Sequence, residues 1–156
     1  MRRLLATLLI TLALAATASA QLTDKKALTL VAAKKMAAAA EAEAVKNNWR
    51  MVIAVVDDGG YLIYLQRTDE TQAGSVDVAI QKAKSAAMFR RPTKVFEDAV
   101  AGGRNALLGL TGAVPIEGGV PIMLDGHLLG AVGVSGGSAP QDGQVANAGV
   151  DALPAK

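Results

Sequence analysis

Two short polar turns, each set between apolar runs, do most to limit how this chain can fold. Residues 51–56 (MVIAVV) lead into Asp57-Asp58-Gly59-Gly60, and residues 61–66 (YLIYLQ) return. Residues 120–124 (VPIML) lead into Asp125-Gly126-His127, and residues 128–135 (LLGAVGVS) follow. Asp-Gly between apolar runs marks a β-hairpin, because the tight turn needs residues that tolerate positive φ. Hairpin-linked strands pair antiparallel, so the sheet is expected to be antiparallel with helices packed on it, an α+β fold.

The helices follow from caps and breakers. Thr23 is placed to cap a helix over residues 24–46, with Asp24 in the first turn and Leu28, Val31, Ala32, Met36 and Ala39 on one face. Asn47-Asn48 ends it. Ser75 can cap a second helix over 76–89, Pro92 breaks the chain, and Thr93 can cap a third over 94–101 that Gly102-Gly103 stops. A glycine-rich loop over 109–119 contains one weak candidate strand. Ser138-Ala139-Pro140-Gln141 matches a capping box opening a last helix to about residue 152. The expected order is α-β-β-α-α-(β)-β-β-α, with about five strands.

The N-terminus reads as a secretory leader over residues 1–20. Arg2-Arg3 precedes an apolar run from Leu4 to Ala16, and Ala18-Ser19-Ala20 supplies an A-x-A exit. The run is short for a bilayer span, which needs about 20 apolar residues. The expected product is residues 21–156, a single domain cleaved after Ala20, exported by a Sec-type route and periplasmic or secreted, with no membrane insertion once the leader is gone. Losing Arg2 and Arg3 takes the 16 basic groups to 14, which matches the 14 acidic ones. A neutral surface argues against a nucleic-acid partner. With no Cys there is no disulfide framework, and with 3% aromatic residues there are few large anchors, so self-association is expected to add buried area.

No assembled catalytic constellation is visible: no Cys nucleophile, no phosphate-binding glycine loop, and one His, too few for a multi-His metal site. Ser135-Gly136-Gly137-Ser138 reads as strand-to-helix turn chemistry. His127 is the candidate metal or haem-iron ligand, against the alternative of an exposed turn residue. Met36, Met51, Met88 and Met123 offer thioethers, but each falls on an apolar run and is expected in the core. Arg90, Arg91 and Thr93 put two guanidinium groups before a helix N-terminus, a place that suits a carboxylate or propionate. Glu117, Gly118 and Gly119 form a glycine-flanked acid that could approach a ligand, and Gln141 and Asp142 stand at the last helix start as caps or contacts.

Taken together, these motifs resemble the GlcG/HbpS family. The resemblance rests on Val55-Val56-Asp57-Asp58-Gly59-Gly60, Lys82-Ala83-Lys84-Ser85-Ala86, Phe89-Arg90-Arg91-Pro92-Thr93, residues 115–122 (PIEGGVPI), Asp125-Gly126, residues 130–136 (GAVGVSG) and Gln141-Asp142. It spans essentially all of residues 21–156, and the order and spacing carry it rather than any single motif. It implies a profilin-like α/β/α fold and assembly into dimers or octamers. It also implies kinship with extracellular haem-binding proteins linked to redox sensing, with a domain fused to cobalamin adenosyltransferases, and with glycolate-operon proteins. The expectation is an exported haem-binding protein that buffers or senses haem or iron under oxidative stress, with a membrane sensor as a further expected partner. The other reading is a small-carboxylate-binding accessory protein or enzyme of a glycolate-like catabolic pathway, with Arg91 holding the carboxylate and Glu117 or Asp142 as acid or base.

Overall fold

The computed structural model of the chain describes residues 25–153. The leader over residues 1–20, the Thr23 cap and Asp24 lie outside them. The elements are α1 (Leu30–Lys46), β1 (Val52–Asp57), β2 (Leu62–Arg67), α2 (Ser75–Phe89), α3 (Lys94–Ala101), a 3-10 turn (Asn105–Gly109), β3 (Gly119–Leu124), β4 (His127–Ser135) and α4 (Ala139–Asp151). The strands form one antiparallel sheet in the order β2-β1-β4-β3. No described helix is long and apolar enough to cross a membrane.

Strand β1 explains the layering. Val52 to Val56 are all fully buried. Val52, Ala54 and Val56 pack with Ala79, Ala83, Ala86 and Ala87 of α2. Ile53 and Val55 pack with Met36, Ala37 and Ala40 of α1 and with Val145 and Ala146 of α4. A strand covered on both faces needs an unbroken apolar run, which is what the sequence carries here. Each fully buried Val or Ile contributes roughly 1.5–3 kcal/mol relative to exposure. The small residues of α2 then bring it close to β4. A Cβ on Gly133 would stand 2.1 Å from the Ala79 carbonyl oxygen, so only glycine fits there.

Both expected hairpins form. Asp125 and Gly126 have φ of 51° and 78°, the paired positive values of a two-residue primed turn, and Leu124 faces His127 across it. In the first turn, Asp57 Oδ1 accepts from the amides of Gly59 at 2.9 Å and Tyr61 at 2.8 Å. Asn48, at φ 56°, closes α1 with Trp49 N–H donating to the Ala44 carbonyl, as an αL helix end requires.

Several expectations need correction. The described sheet has four strands, not five. The weak strand in the glycine-rich loop does not form, because its amides are taken by side chains: Val114 N–H donates to Ser85 Oγ and Glu117 N–H to Glu97. Helix α1 starts at Leu30, capped by Thr29, whose Oγ1 accepts from Ala32 N–H. The segment before it is held extended by ion pairs of Lys25 with Asp58 and Lys26 with Asp125. The buried face of α1 is Ala33, Met36, Ala37, Ala40 and Ala44, while Val31 is 79% exposed. Close approach of helix and sheet selected the alanines over the larger residues. Ser75 is the first residue of α2 rather than its cap, Gly74 holding that position. Met36 and Met51 are in the core as expected, but Met88 and Met123 are exposed.

Candidate functional site

The glycine-rich loop lies over a buried ion pair that links the two helical layers. Lys82 of α2 and Asp142 of α4 stand on opposite faces of the sheet, and Lys82 Nζ donates to Asp142 Oδ2 at 2.7 Å with both side chains almost wholly buried. The passage runs past Gly118, where β3 is about to begin. Gly118 has φ 127°, and a Cβ on it would stand 2.9 Å from Lys82 Nζ, 2.8 Å from Asp142 Cβ and 2.7 Å from the Val134 carbonyl oxygen. A side chain there would close the passage. Asp142 Oδ1 also accepts from Gly137 N–H at 3.0 Å. Burial raises the Asp142 pKa above its ordinary value, opposed by Lys82 and by the amides of Gly137 and Gly136.

Thr93 and Gly119 form the neighbouring clasp. Thr93 N–H donates to the Gly119 carbonyl, and Gly119 N–H donates to Thr93 Oγ1, both at 2.9 Å. The Thr93 hydroxyl therefore serves β3, and it does not cap α3 as the sequence suggests. Glu117 sits beside this clasp, with Lys94 Nζ 3.8 Å from its Oε2. Its pKa is raised, first by burial and then by Glu97 and Asp98, against the lowering pull of Lys94 and Lys82. A raised carboxyl pKa means the folded state favours the protonated form, so ionised Glu117 lowers stability at neutral pH. Glu117→Gln is therefore expected to raise the urea midpoint at pH 7. The gain should fade as pH drops below the ordinary carboxylate range, where both states are protonated. An equal gain at every pH would remove the titration from the explanation.

The remaining sequence candidates separate. Gln141 Oε1 accepts from Ser138 N–H at 2.9 Å, the capping role its spacing suggests. Arg91 lies over the Phe96 ring, 5.7 Å from its centroid, in a cavity whose lining contains neither Glu117 nor Asp142. The structure thus does not assemble Arg91 with either proposed acid or base. Arg90 lines a different cleft of about 700 Å³ with Lys25, Lys26, Asp58, Asp125 and His127. Among the described residues no carboxylate pairs with Arg90. Arg90 also holds φ 52° where α2 ends, and its amide bonds back to Ala86 and Ala87. Glycine is usual at that position, and a residue with a Cβ is strained there by roughly 1 kcal/mol. Lys82 and the assembly of the cleft by Lys25 and Lys26 were not singled out from sequence. For Lys82 the signal was a lysine whose neighbours at positions 79, 83 and 86 are all alanine, on the face that must be buried.

Comparison with known proteins gives this architecture its relatives. GlcG of Escherichia coli K12 is 45% identical over 103 residues, 66% of this chain and 77% of that protein. The solved structure of a Streptomyces reticuli HbpS double mutant superposes with a TM-score of 0.79 at 33% identity, covering 87% of this chain and 93% of that one. A PduOC:haem complex superposes with a TM-score of 0.76 at 27% identity, covering 84% and 98%. A family model described as haem degrading protein HbpS-like matches residues 28–151. With most of its length matched and the layered fold shared, the chain belongs to the HbpS-like family.

Proposed function

We propose that this protein binds haem in the cleft between the β3–β4 turn, the segment before α1 and the end of α2, and that it acts outside the cytoplasm after losing its first 20 residues. The observation that carries the reading is the cleft lining: one exposed imidazole, His127, beside Lys25, Lys26 and Arg90. Its volume of about 700 Å³ falls in the range of cofactor sites. The donor set suits the group. A neutral imidazole is a common haem-iron ligand, and guanidinium and ammonium groups suit propionates. Lys25 and Lys26 already pair with Asp58 and Asp125, which leaves Arg90 as the cation best able to meet a propionate. A strained arginine where glycine is usual fits a side chain whose role lies in what it contacts.

Haem supplies redox-active iron when bound; the chain's own residues hold and orient it. A haem complex among the relatives supports the ligand class. Self-association and haem or iron buffering under oxidative stress complete the reading. Haemin titration of the protein should give a saturable Soret shift. His127→Ala should change the position or intensity of that band. Arg90→Gly should weaken binding by about three- to tenfold while raising stability by roughly 1 kcal/mol, because the strain is relieved. No Soret change in the parent protein would end the proposal, and identical spectra and affinities in both variants would move the site elsewhere.

A further inference from the structure

A second cavity, away from the His127 cleft, has a lining that selects a different ligand. It holds about 200 Å³ between the end of α2, one side of α3 and the 3-10 turn. Its floor is aromatic: Phe89 and Phe96 meet edge to face, with ring centroids 5.2 Å apart. Val95 and Ala99 of α3 and two leucines from the 3-10 turn onward complete an apolar wall. Among the described residues, the charged ones lining it are Arg91 and Arg104. Arg91 spends its Nε–H on the Phe89 carbonyl at 3.2 Å, and among the described residues neither guanidinium has a carboxylate partner. The acids of α3 are committed elsewhere, Asp98 to Lys94 at 2.8 Å and Glu97 to the Glu117 amide.

Two guanidinium groups at the mouth of an apolar hollow call for an anion with an apolar body. The size narrows the class further. An apolar cavity of about 150 Å³ holds a benzene ring, so one of about 200 Å³ has room for such a ring and a carboxylate. Drug-sized ligands need more space. We propose that this cavity binds a small monocarboxylate with an aromatic or branched apolar body, the ring against Phe89 and Phe96 and the carboxylate between Arg91 and Arg104. The proposal is independent of the haem reading, since the two linings share no residue.

Calorimetry with benzoate, benzamide and acetate tests it. Benzoate should bind with a Kd on the order of 0.1–1 mM, within the range open to a ligand of its size, and at least tenfold tighter than either comparison compound. Arg104→Gln, on an exposed residue, should weaken benzoate about tenfold, and Arg91→Gln should do the same. Ala99→Leu should fill the hollow and abolish binding, while thermal melting of the three variants reports that they remain folded. His127→Ala should leave benzoate binding unchanged, which keeps this result separate from the haemin titration. Equal affinity for benzoate and benzamide, benzoate affinity unchanged in both arginine variants, or no binding at 10 mM benzoate would overturn the proposal.

Discussion

Asp142→Ala should destabilise the fold by about 3–5 kcal/mol, the cost of stranding one partner of a buried ion pair. In the variant, Lys82 would keep its place among fully buried alanines with no carboxylate to meet its ammonium. A buried ammonium with no partner carries a large desolvation cost, so α2 is expected to be pulled away from the sheet toward water. For a domain of this size the loss near neutrality corresponds to a fall in melting temperature of roughly 10 °C or more. Urea unfolding at pH 7 measures the loss, and thermal melting measures the fall in temperature. The control is Lys82→Met combined with Asp142→Leu. An apolar pair in place of an ionic one is often neutral or better, so the double variant should recover most of the loss. A single variant as stable as the parent at pH 7 would show that the pair is dispensable.

That pair also shows where the sequence stops being legible. The sheet could be read, because an Asp-Gly turn between apolar runs is a local signal and β1 declares double-sided burial in its own composition. Helix α3 and the glutamine cap of α4 were legible for the same reason. The start of α1 is not legible locally, because Thr23 and Thr29 both suit a cap. What decides between them is distant: Lys25 and Lys26 are drawn to acids on two hairpin turns. The glycine-rich loop offered a plausible strand, but its amides had better offers from Ser85 and Glu97, which belong to other helices. The candidate site is harder still. Adjacent in sequence, Arg90 and Arg91 read as one anion clamp, yet the left-handed turn at Arg90 sends them to two different hollows. Conversely, Lys82 and Asp142 are 60 positions apart and meet only because Gly118 leaves the space between them open.

Gly133→Val should be at least as damaging as Asp142→Ala, for a reason that joins packing to the ion pair. Gly133 lies in β4 between Ala54 of β1 and Gly119 of β3, beneath α2. A Cβ placed there meets the Ala79 carbonyl oxygen at 2.1 Å, the Ala83 amide nitrogen at 2.5 Å and the Ala83 Cβ at 2.7 Å. Two of these are helix backbone atoms and the third is a Cβ fixed to that backbone; none can rotate aside as a side-chain tip would, so α2 must lift off the sheet. The cost of overpacking is typically about 1–3 kcal/mol. Here the lift also draws Lys82, which directly precedes Ala83 in α2, away from Asp142, and adds part of the buried-pair penalty. A total of about 4 kcal/mol or more is expected from urea unfolding. The joint origin predicts non-additivity: combined with Lys82→Met and Asp142→Leu, Gly133→Val should cost measurably less than it does alone, since no pair remains to be pulled apart. Strict additivity would mean that α2 absorbs the methyl groups without moving Lys82, and that the glycine of β4 is not coupled to the charge pair that joins the two helical layers.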